Sequence, residues 1–549
     1  MSDTVSGLLT VGLLVLMLAV AYHPVGAWLA AVFTDTRHWR LERSVYRLVR
    51  VDADSEQGWR AYATSVVVFS VVGTVALFAL VVAQTHLPGR QGSAGMGLTT
   101  ALCTAVSFVT NTDWQSYAGE VGATPLLQTA GLAVQNFVSA AVGLAVAIAL
   151  MRALARHSVA TIGNFWVDLV RGVVRVLLPA SLVAAVLLLA GGVIQNLNGP
   201  TTVKGLAGVA QVVRGGLVAS QEAIKEIGTN GGGYFNANSA HPFENPNPLT
   251  NVFEIFLLLV IPFALTRTYG LVVGDRRQGW ALAGFAGLLW AGGVAVTTWA
   301  EVHAAGAVTG SMEGKEQRFG VWGSTLFAAS TTSTSTGSVN SMHESYSPLG
   351  GGTLVANMVL GEISPGGVGS GLYGIVIVAL LAVFVAGLMV GRTPEYLGKA
   401  IGRREVTCAA LYVLVMPALV LVGTGLSLAM DGPRAGMLAS GPRGLTEVLY
   451  AYASAANNNG SAFAGLGADT PWYNLTLALC MLLGRFVPMV LVLRLCGLLV
   501  EQRNRPASLG TMPTHTPLFV GLVTGVAVIL AGLTFFPALA LGPLAEALS

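Results

Sequence analysis

Charged residues and cysteines are scarce in this chain. Only 10% of its 549 residues are charged, whereas a soluble protein carries about 25%, so a large soluble domain is excluded. The formal net charge of +3 is small and argues against nucleic acid as a partner. The cysteines lack the CxxC spacing of a zinc or redox site, so we expect ordinary packing for Cys103, Cys408, Cys480 and Cys496.

Motifs of nucleotide chemistry are also missing. The sequence has neither a GxxxxGK[ST] phosphate loop nor an Asp-Lys-Thr-Gly phosphorylation motif. These are the parts that bind a nucleotide or accept a phosphoryl group. We therefore expect that the chain alone is not an ATP-hydrolysing enzyme and holds no organic cofactor.

Apolar sequence is abundant instead, at 54% hydrophobic residues. A helix needs roughly 20 apolar residues to cross about 30 Å of hydrocarbon. The first such run has no basic n-region and no small-residue cleavage site, so it predicts a spanning helix rather than a signal peptide. An all-α integral membrane protein is expected, with transmembrane helices over residues 8–33, 62–84, 126–151, 167–195, 252–271, 280–302, 371–391, 407–430, 472–499 and 517–536.

The basic residues lie in blocks between these runs. Six fall in residues 37–60, four in 152–175, three in 267–277, four in 392–404 and three in 494–505. All five blocks follow odd-numbered spans, so the positive-inside rule predicts that they are cytoplasmic and that both termini lie outside. The 392–404 block is foremost a membrane anchor, with docking of a partner subunit as a second role.

The opposite loops share a pattern that recurs four times. Each contains a short apolar segment, too short or too polar to span, followed by small polar residues. These segments are 98–114, 216–234, 321–339 and 445–463. Such a repeat predicts four units of span, outer half-helix, polar loop and span. The predicted divisions are an N-terminal helix and linker (1–60), four pore repeats (61–160, 161–275, 276–400 and 401–505) and a C-terminal helix (506–549).

Four polar loops meeting on one axis indicate an ion filter. Non-helical backbone survives at membrane depth only where it is buried in protein or lines a cavity. Potassium filters replace the hydration shell with rings of backbone carbonyls, and the C-terminal ends of half-helices add partial negative charge without a fixed carboxylate. Any one of these loops could equally be a glycine-rich turn, and it is the repetition that favours a filter.

Several longer sequence motifs of the chain resemble those of the A subunit family of Kdp-type potassium pumps. They include SFVTNTDWQ at 107–115, GTNGGGYFNANSAHPFEN at 228–245, GGVGSGLYG at 366–374, GRTPEYLGK at 391–399 and ANNNGSAF at 456–463. The resemblance implies a bacterial plasma-membrane subunit that binds K+ outside and passes it to a partner that uses ATP. The implied partners are a P-type ATPase catalytic subunit, a small single-span C subunit, possibly a small F peptide, and membrane lipid.

The resemblance also implies which residues bind K+. The implied ion ligands are Thr110, Asn111, Thr112, Asn230, Gly231, Gly232, Ser335, Thr336, Gly337, Asn458, Asn459 and Gly460. Any one of them could instead only shape its loop, and the asparagine amides could brace neighbouring carbonyls. Asp113 stands where the family more often has Asn. Two roles are open for it: a solvated mouth residue or helix cap, or a group that attracts the ion.

Further residues are expected around the passage. Gln115 and Arg485 are interpreted as lining it beneath the filter, with Arg485 acting as an electrostatic barrier because a buried cation in a span is costly. A structural clamp is the alternative for Arg485. The glycine cluster of Gly366, Gly367, Gly369 and Gly371 predicts a gate or a plain hinge. Glu254 is expected to face the outer interface.

Three other functions remain to be distinguished. A passive potassium channel or symporter subunit would share the filter but would not depend on ATP. A secondary carrier with broken helices usually has two repeats rather than four. A membrane scaffold would leave the buried polar backbone unexplained.

Overall fold

The ten spanning helices predicted from hydropathy are confirmed. The computed structural model describes residues 3–206, 208–304, 312–361, 363–391, 394–506 and 511–548. Within these ranges, ten helices are long and apolar enough to cross a membrane. These spans 1 to 10 are Asp3–Thr34, Trp59–His86, Leu127–Ala155, Phe165–Ala190, Pro248–Val272, Arg276–His303, Ser370–Met389, Arg403–Ala429, Pro471–Glu501 and Pro517–Leu548.

Four short helices lie between the spans at the predicted places. We call them pore helices 1 to 4: Leu98–Val109, Val218–Ile227, Gly320–Ser333 and Gly441–Ala456. Each is almost wholly buried toward its C-terminal end. Pore helix 4 begins four residues before the predicted segment, because Pro442 occupies the first turn, where its fixed φ and missing N–H are tolerated.

Minor elements complete the described chain. Short helices cover Arg40–Leu48, Gly119–Gly122, Pro348–Val359 and Asp431–Arg434, and 3-10 turns cover Asn238–Ala240 and His343–Ser345. Two hairpins pair Thr201–Lys204 with Ala210–Val213 and Glu395–Tyr396 with Lys399–Ala400. The basic block at 392–404 begins at Arg392, which lies outside the described residues.

The core is formed by the second spanning helix of the first three repeated units. In spans 3, 5 and 7, 83%, 78% and 78% of the residues in the most apolar window are buried, against 11% in span 1 and 22% in spans 2, 8 and 10. The peripheral spans therefore present most of their surface outward, as lipid-facing helices do. This arrangement places the pore helices and their loops at the centre of the bundle.

The second helix of the third unit is broken, as its glycines predict. A first piece covers Pro348–Val359, and span 7 resumes at Ser370. The described residues between them, 360–361 and 363–369, form a loop that we call loop 360–369. Gly369 adopts φ +89°, a conformation that favours glycine. A side chain there would overlap the backbone of Gly143 in span 3. The broken unit therefore packs its loop directly against a neighbouring inner helix.

Candidate ion-binding site

All four pore helices end in the same turn. Each is followed by a cap residue and then by a residue in the left-handed conformation: Asn111 (φ 63°), Thr229 (φ 45°), Ser335 (φ 57°) and Asn458 (φ 54°). The next backbone N–H donates to the carbonyl five residues back. These bonds are Thr112 to Ser107 (2.9 Å), Asn230 to Lys225 (2.9 Å), Thr336 to Thr331 (3.1 Å) and Asn459 to Ser454 (2.8 Å). This is the Schellman termination of a helix.

The repeated turn defines four equivalent loops. We call them filter loops 1 to 4: residues 110–113, 228–231, 334–337 and 457–460. The sequence predicts Asn230, Gly231 and Gly232 as the core of the second loop. In the structure, the N–H of Asn230 makes the same bond as those of Thr112, Thr336 and Asn459. Asn230 is therefore the third residue of its loop. Thr229 is thus a loop residue that sequence reasoning missed. Matching the loops by the distance from their helix ends would have found it.

Non-glycine residues occupy the left-handed positions, although such a backbone is costly for them. Their side chains link neighbouring loops. Asn111 donates through Nδ2 to the Thr229 carbonyl (2.8 Å), and Ser335 donates through Oγ to the Asn457 carbonyl (2.8 Å). Asn458 donates through Nδ2 to Thr112 Oγ1 (3.0 Å).

Loops 2 and 3 are joined through the backbone instead. The Gly337 N–H donates to the Asn230 carbonyl at 2.9 Å. With the three side-chain bonds, this contact connects loop 1 to 2, 2 to 3, 3 to 4 and 4 back to 1. The four loops therefore form a closed hydrogen-bonded ring.

The last position of loops 2, 3 and 4 is packed too tightly for a side chain. An added Cβ on Gly231 would lie 2.7 Å from Gly337 Cα, and one on Gly337 would lie 2.8 Å from the Asn459 carbonyl oxygen. A Cβ on Gly460 would overlap the Thr112 carbonyl oxygen. Real Cβ atoms do not approach other atoms this closely, so glycine is required where the loops converge.

Loop 1 breaks this pattern with Asp113. The residue is fully buried and adopts φ 56°. Its Oδ2 accepts a hydrogen bond from the Gly231 N–H at 3.0 Å, while Oδ1 has no hydrogen-bond partner among the described residues. Asp113 thus braces loop 2 and leaves one carboxylate oxygen at the edge of the ring.

One cavity lies at the ends of all four loops. Asp113, Gly337 and Gly460, the last residues of loops 1, 3 and 4, line it together with Gln115 and with Gly232, which directly follows loop 2. We call it the mouth cavity. Burial and the Lys315 charge lower the pKa of His343, which also lines this cavity, to about 3, so this side chain is neutral at physiological pH. Convergence on one space is the geometry expected of a filter.

Gln115 lies at the mouth, which corrects its expected place beneath the filter. Its Oε1 accepts from the Gly233 N–H at 2.9 Å, and its Nε2 donates to Tyr117 at 3.2 Å. The chain of loop 1 runs toward the mouth after the turn, and so carries Gln115 with it. Its contact braces the end of loop 2.

Arg485 lies on the side of the ring away from the mouth cavity, and its expected place in an ion passage stays a prediction. Only 5% of it is exposed, and it lines a second cavity with Asn458 and Ser370. Its recorded hydrogen bond is a long one of 3.5 Å to the Ser139 carbonyl. Ser139 in turn donates to Asn111 Oδ1 at 2.8 Å. Within the described part of the chain, no carboxylate forms a salt bridge with Arg485.

The glycine-rich loop 360–369 also lies on this side and contacts the filter turns. The Val368 N–H donates to Thr229 Oγ1 at 2.7 Å, and the Gly366 N–H donates to the Ser333 carbonyl at 2.9 Å. A Cβ on Gly367 would lie 3.2 Å from Ser335 Cβ. Gly367 therefore lies against loops 2 and 3 and Gly366 against the end of pore helix 3, whereas Gly369 packs on span 3 and Gly371 lies in the first turn of span 7.

Glu254 does not face the outer interface, contrary to expectation. It is completely buried in span 5, next to Glu222 and Glu226 of pore helix 2. Both its carboxylate oxygens lack a hydrogen-bond partner among the described residues. Sequence position near the start of a span gave no sign that pore helix 2 would pack over it.

The fold and the site together define a multi-spanning membrane protein whose four pore helices end in one ring of polar loops. A solved structure with this fold is the potassium transporter TrkH from Vibrio parahaemolyticus, at a TM-score of 0.54 and 15% identity, covering 89% of this chain and 96% of that one. The family described as potassium-transporting ATPase A subunit matches residues 12–548. The chain belongs to this family.

Curated relatives match over the whole length. One from Kineococcus radiotolerans is 58% identical over 100% of this chain and 99% of its own, and one from Streptomyces coelicolor is 57% identical over 100% of both. Both are named potassium-transporting ATPase potassium-binding subunit. The resemblance read from the filter phrases is confirmed, and the chain is a non-catalytic subunit by family.

Proposed function

We propose that this chain binds K+ in the ring of four filter loops and delivers it to an ATP-driven partner for uptake into a bacterial cell. The observation that carries the proposal is the closed ring of four Schellman turns, whose loops converge on the mouth cavity. The names of the relatives support potassium as the ion.

The chemistry of the ring suits a dehydrated monovalent cation. Its loops carry hydroxyls, amides and backbone carbonyls, and Asp113 is the one acidic residue within the four loops. Helix C-termini direct partial negative charge at the ion, and carbonyl and hydroxyl oxygens replace its water. The ligands are proposed among Thr110, Asn111, Thr112, Asn230, Gly231, Gly232, Ser335, Thr336, Gly337, Asn458, Asn459 and Gly460, with Thr229 added by the structure.

ATP chemistry belongs to a partner in this proposal. The chain lacks nucleotide and phosphorylation motifs, and the relatives are named as subunits of an ATPase. The partners proposed are a P-type catalytic subunit, a small C subunit and a small F peptide in the plasma membrane. The ion would enter from the mouth cavity on the outer side, pause above Arg485, and pass the loop 360–369 when the partner's cycle moves it.

K+-stimulated ATP hydrolysis by the complex that copurifies with this chain tests the proposal. We compare wild type with Gly337→Ala, whose added Cβ would press on Asn459, and with Gly441→Ala. An added Cβ on Gly441, which has a φ of 63°, meets nothing within 4 Å, so Gly441→Ala controls for a methyl group added to a glycine without a steric clash.

In wild type and in Gly441→Ala, we expect low K+ concentrations to stimulate ATP hydrolysis. In Gly337→Ala, stimulation should need more K+ or should also occur with Na+. This result supports an ATP-driven pump whose selectivity lies in this ring. Unchanged selectivity in Gly337→Ala would reject the filter assignment. A chain that copurifies with no ATPase and conducts K+ without ATP would instead be a channel or symporter subunit.

A further inference from the structure

Four glutamates and one lysine are buried together behind filter loops 2 and 3. Glu222, Lys225 and Glu226 lie on pore helix 2, Glu244 on the following loop and Glu254 on span 5. None is more than 2% exposed. If ionised, the group carries four negative charges and one positive charge in a place that water does not reach.

Lys225 compensates only part of this charge. Its Nζ contacts Glu222 Oε2 at 2.6 Å and Glu244 Oε2 at 3.1 Å, and it donates to Asn238 Oδ1 at 3.0 Å and Ser239 Oγ at 2.9 Å. Glu226 Oε1 is farther away, at 3.7 Å. The ammonium is therefore already engaged by Glu222 and Glu244.

Two of the glutamates point unpartnered oxygens into the cluster. Both oxygens of Glu254 and Oε2 of Glu226 have no hydrogen-bond partner among the described residues. Isolated buried carboxylates are very costly unless a cation or a proton neutralises them. The buried orphan oxygens therefore indicate a missing positive partner.

The geometry points to a metal ion. One carboxylate oxygen from each of Glu222, Glu226 and Glu254 lies within 4.8 Å of the other two. Two oxygens that share one Ca2+ are at most about 5 Å apart, because each lies about 2.5 Å from the ion. We propose that these three glutamates form a buried binding site for a divalent cation with hard oxygen ligands, separate from the filter.

Charge balance favours a divalent ion over a monovalent one. Lys225 leaves three of the four negative charges uncompensated, and a divalent ion reduces that excess to one. The three proposed ligands are carboxylates, whereas the filter loops present neutral oxygens apart from the Asp113 carboxylate. The two sites therefore differ in the class of cation they attract.

The proposed site is connected to the filter. The Glu226 carbonyl accepts from the Thr229 N–H at 3.1 Å inside the turn of loop 2. Its side chain accepts from Ser338, which follows Gly337 of loop 3, and Ser239 Oγ lies 2.9 Å from Ser338 Oγ. A cation held by Glu226 would fix loops 2 and 3 relative to span 5, so its role is to stabilise the filter rather than to be transported.

Metal analysis of the purified complex tests this site without measuring transport. The whole complex is passed through chelator-treated buffer containing K+, denatured in acid, and its Ca2+ and Mg2+ are quantified. Glu254→Gln keeps the side-chain shape and removes a charge. Glu447→Gln is the matched control, because Glu447 is also fully buried but accepts from the Leu438 and Ala439 N–H groups at 2.9 and 2.8 Å.

We expect wild type and Glu447→Gln each to contain about one more divalent cation per complex than Glu254→Gln. Equal divalent-cation contents in all three proteins would overturn the proposal. Protons would then neutralise the buried glutamates. If Glu254→Gln does not fold, the melting temperature of the wild-type complex is measured with and without chelator. A melting temperature that chelator lowers and that Ca2+ or Mg2+ restores supports the site. No bound divalent cation and an unchanged melting temperature reject it, whatever the outcome for potassium.

Discussion

At the scale of single residues, one backbone hydrogen bond, from the Asn230 N–H to the Lys225 carbonyl, sets the register of filter loop 2. Polar residues and glycines recur in all four loops, so the run of glycines from Gly231 to Gly233 offered several equivalent alignments. The bond from the Asn230 N–H to Lys225 selects one of them. Such a bond depends on the backbone turn, which residue type alone does not encode.

Gly460 is the position where a methyl group should be tolerated least. Because its Cβ would overlap the Thr112 carbonyl oxygen, Gly460→Ala should widen or tilt the ring between loops 4 and 1. We expect the K+ concentration for half-maximal ATPase stimulation to rise at least about tenfold, or about 1.4 kcal/mol. Gly425→Ala, where an added Cβ meets nothing within 4 Å, should behave like wild type. A normal K+ response in Gly460→Ala would show that the ring is wider than the structure indicates.

Arg485 should control passage rather than binding. It is buried beneath the ring with one long hydrogen bond, so its charge repels a cation leaving the filter. In proteoliposomes, Arg485→Gln should lower the ratio of K+ moved to ATP used, while Arg485→Lys, which keeps the charge, should largely retain it. An equal loss of coupling in both variants would indicate that the guanidinium acts as a structural clamp.

At the scale of elements, hydropathy predicted the spans well because lipid imposes their length and composition. The structure extends most of them by a few residues; span 1 begins at Asp3 and span 9 ends at Glu501. Polar residues at helix ends escape a hydropathy window but continue the backbone hydrogen bonding. The packing of Glu254 against pore helix 2 could not be predicted, because it depends on which elements become neighbours.

The loop 360–369 should depend on Thr229 for its position under the filter. Thr229→Val keeps the side-chain shape but leaves the Val368 N–H without its 2.7 Å partner, and an unsatisfied buried N–H costs about 1–3 kcal/mol. We expect a lower melting temperature together with weaker K+ stimulation of ATP hydrolysis. Thr229→Ser, which retains the hydroxyl, should restore both. A wild-type K+ response in Thr229→Val would show that the position of this loop does not affect ion passage.

At the scale of the whole molecule, the fourfold repeat was visible in the sequence but the ring was not. Spacing showed that the four segments are alike. Closure needs specific cross-loop bonds, such as Asn458 to Thr112, which join residues 346 positions apart. The six-part division at residues 60, 160, 275, 400 and 505 stays a prediction.

The orientation of the molecule is the remaining expectation of the positive-inside rule. The four native cysteines are buried, so single cysteines introduced at exposed sites should give a low background. Ser44→Cys lies in the basic block after span 1, and Leu438→Cys lies after span 8, where Leu438 is 73% exposed. In intact cells, a membrane-impermeant maleimide should label Leu438→Cys and leave Ser44→Cys unlabelled until the membrane is opened. The reverse pattern would place the mouth cavity inside the cell and contradict uptake through this filter.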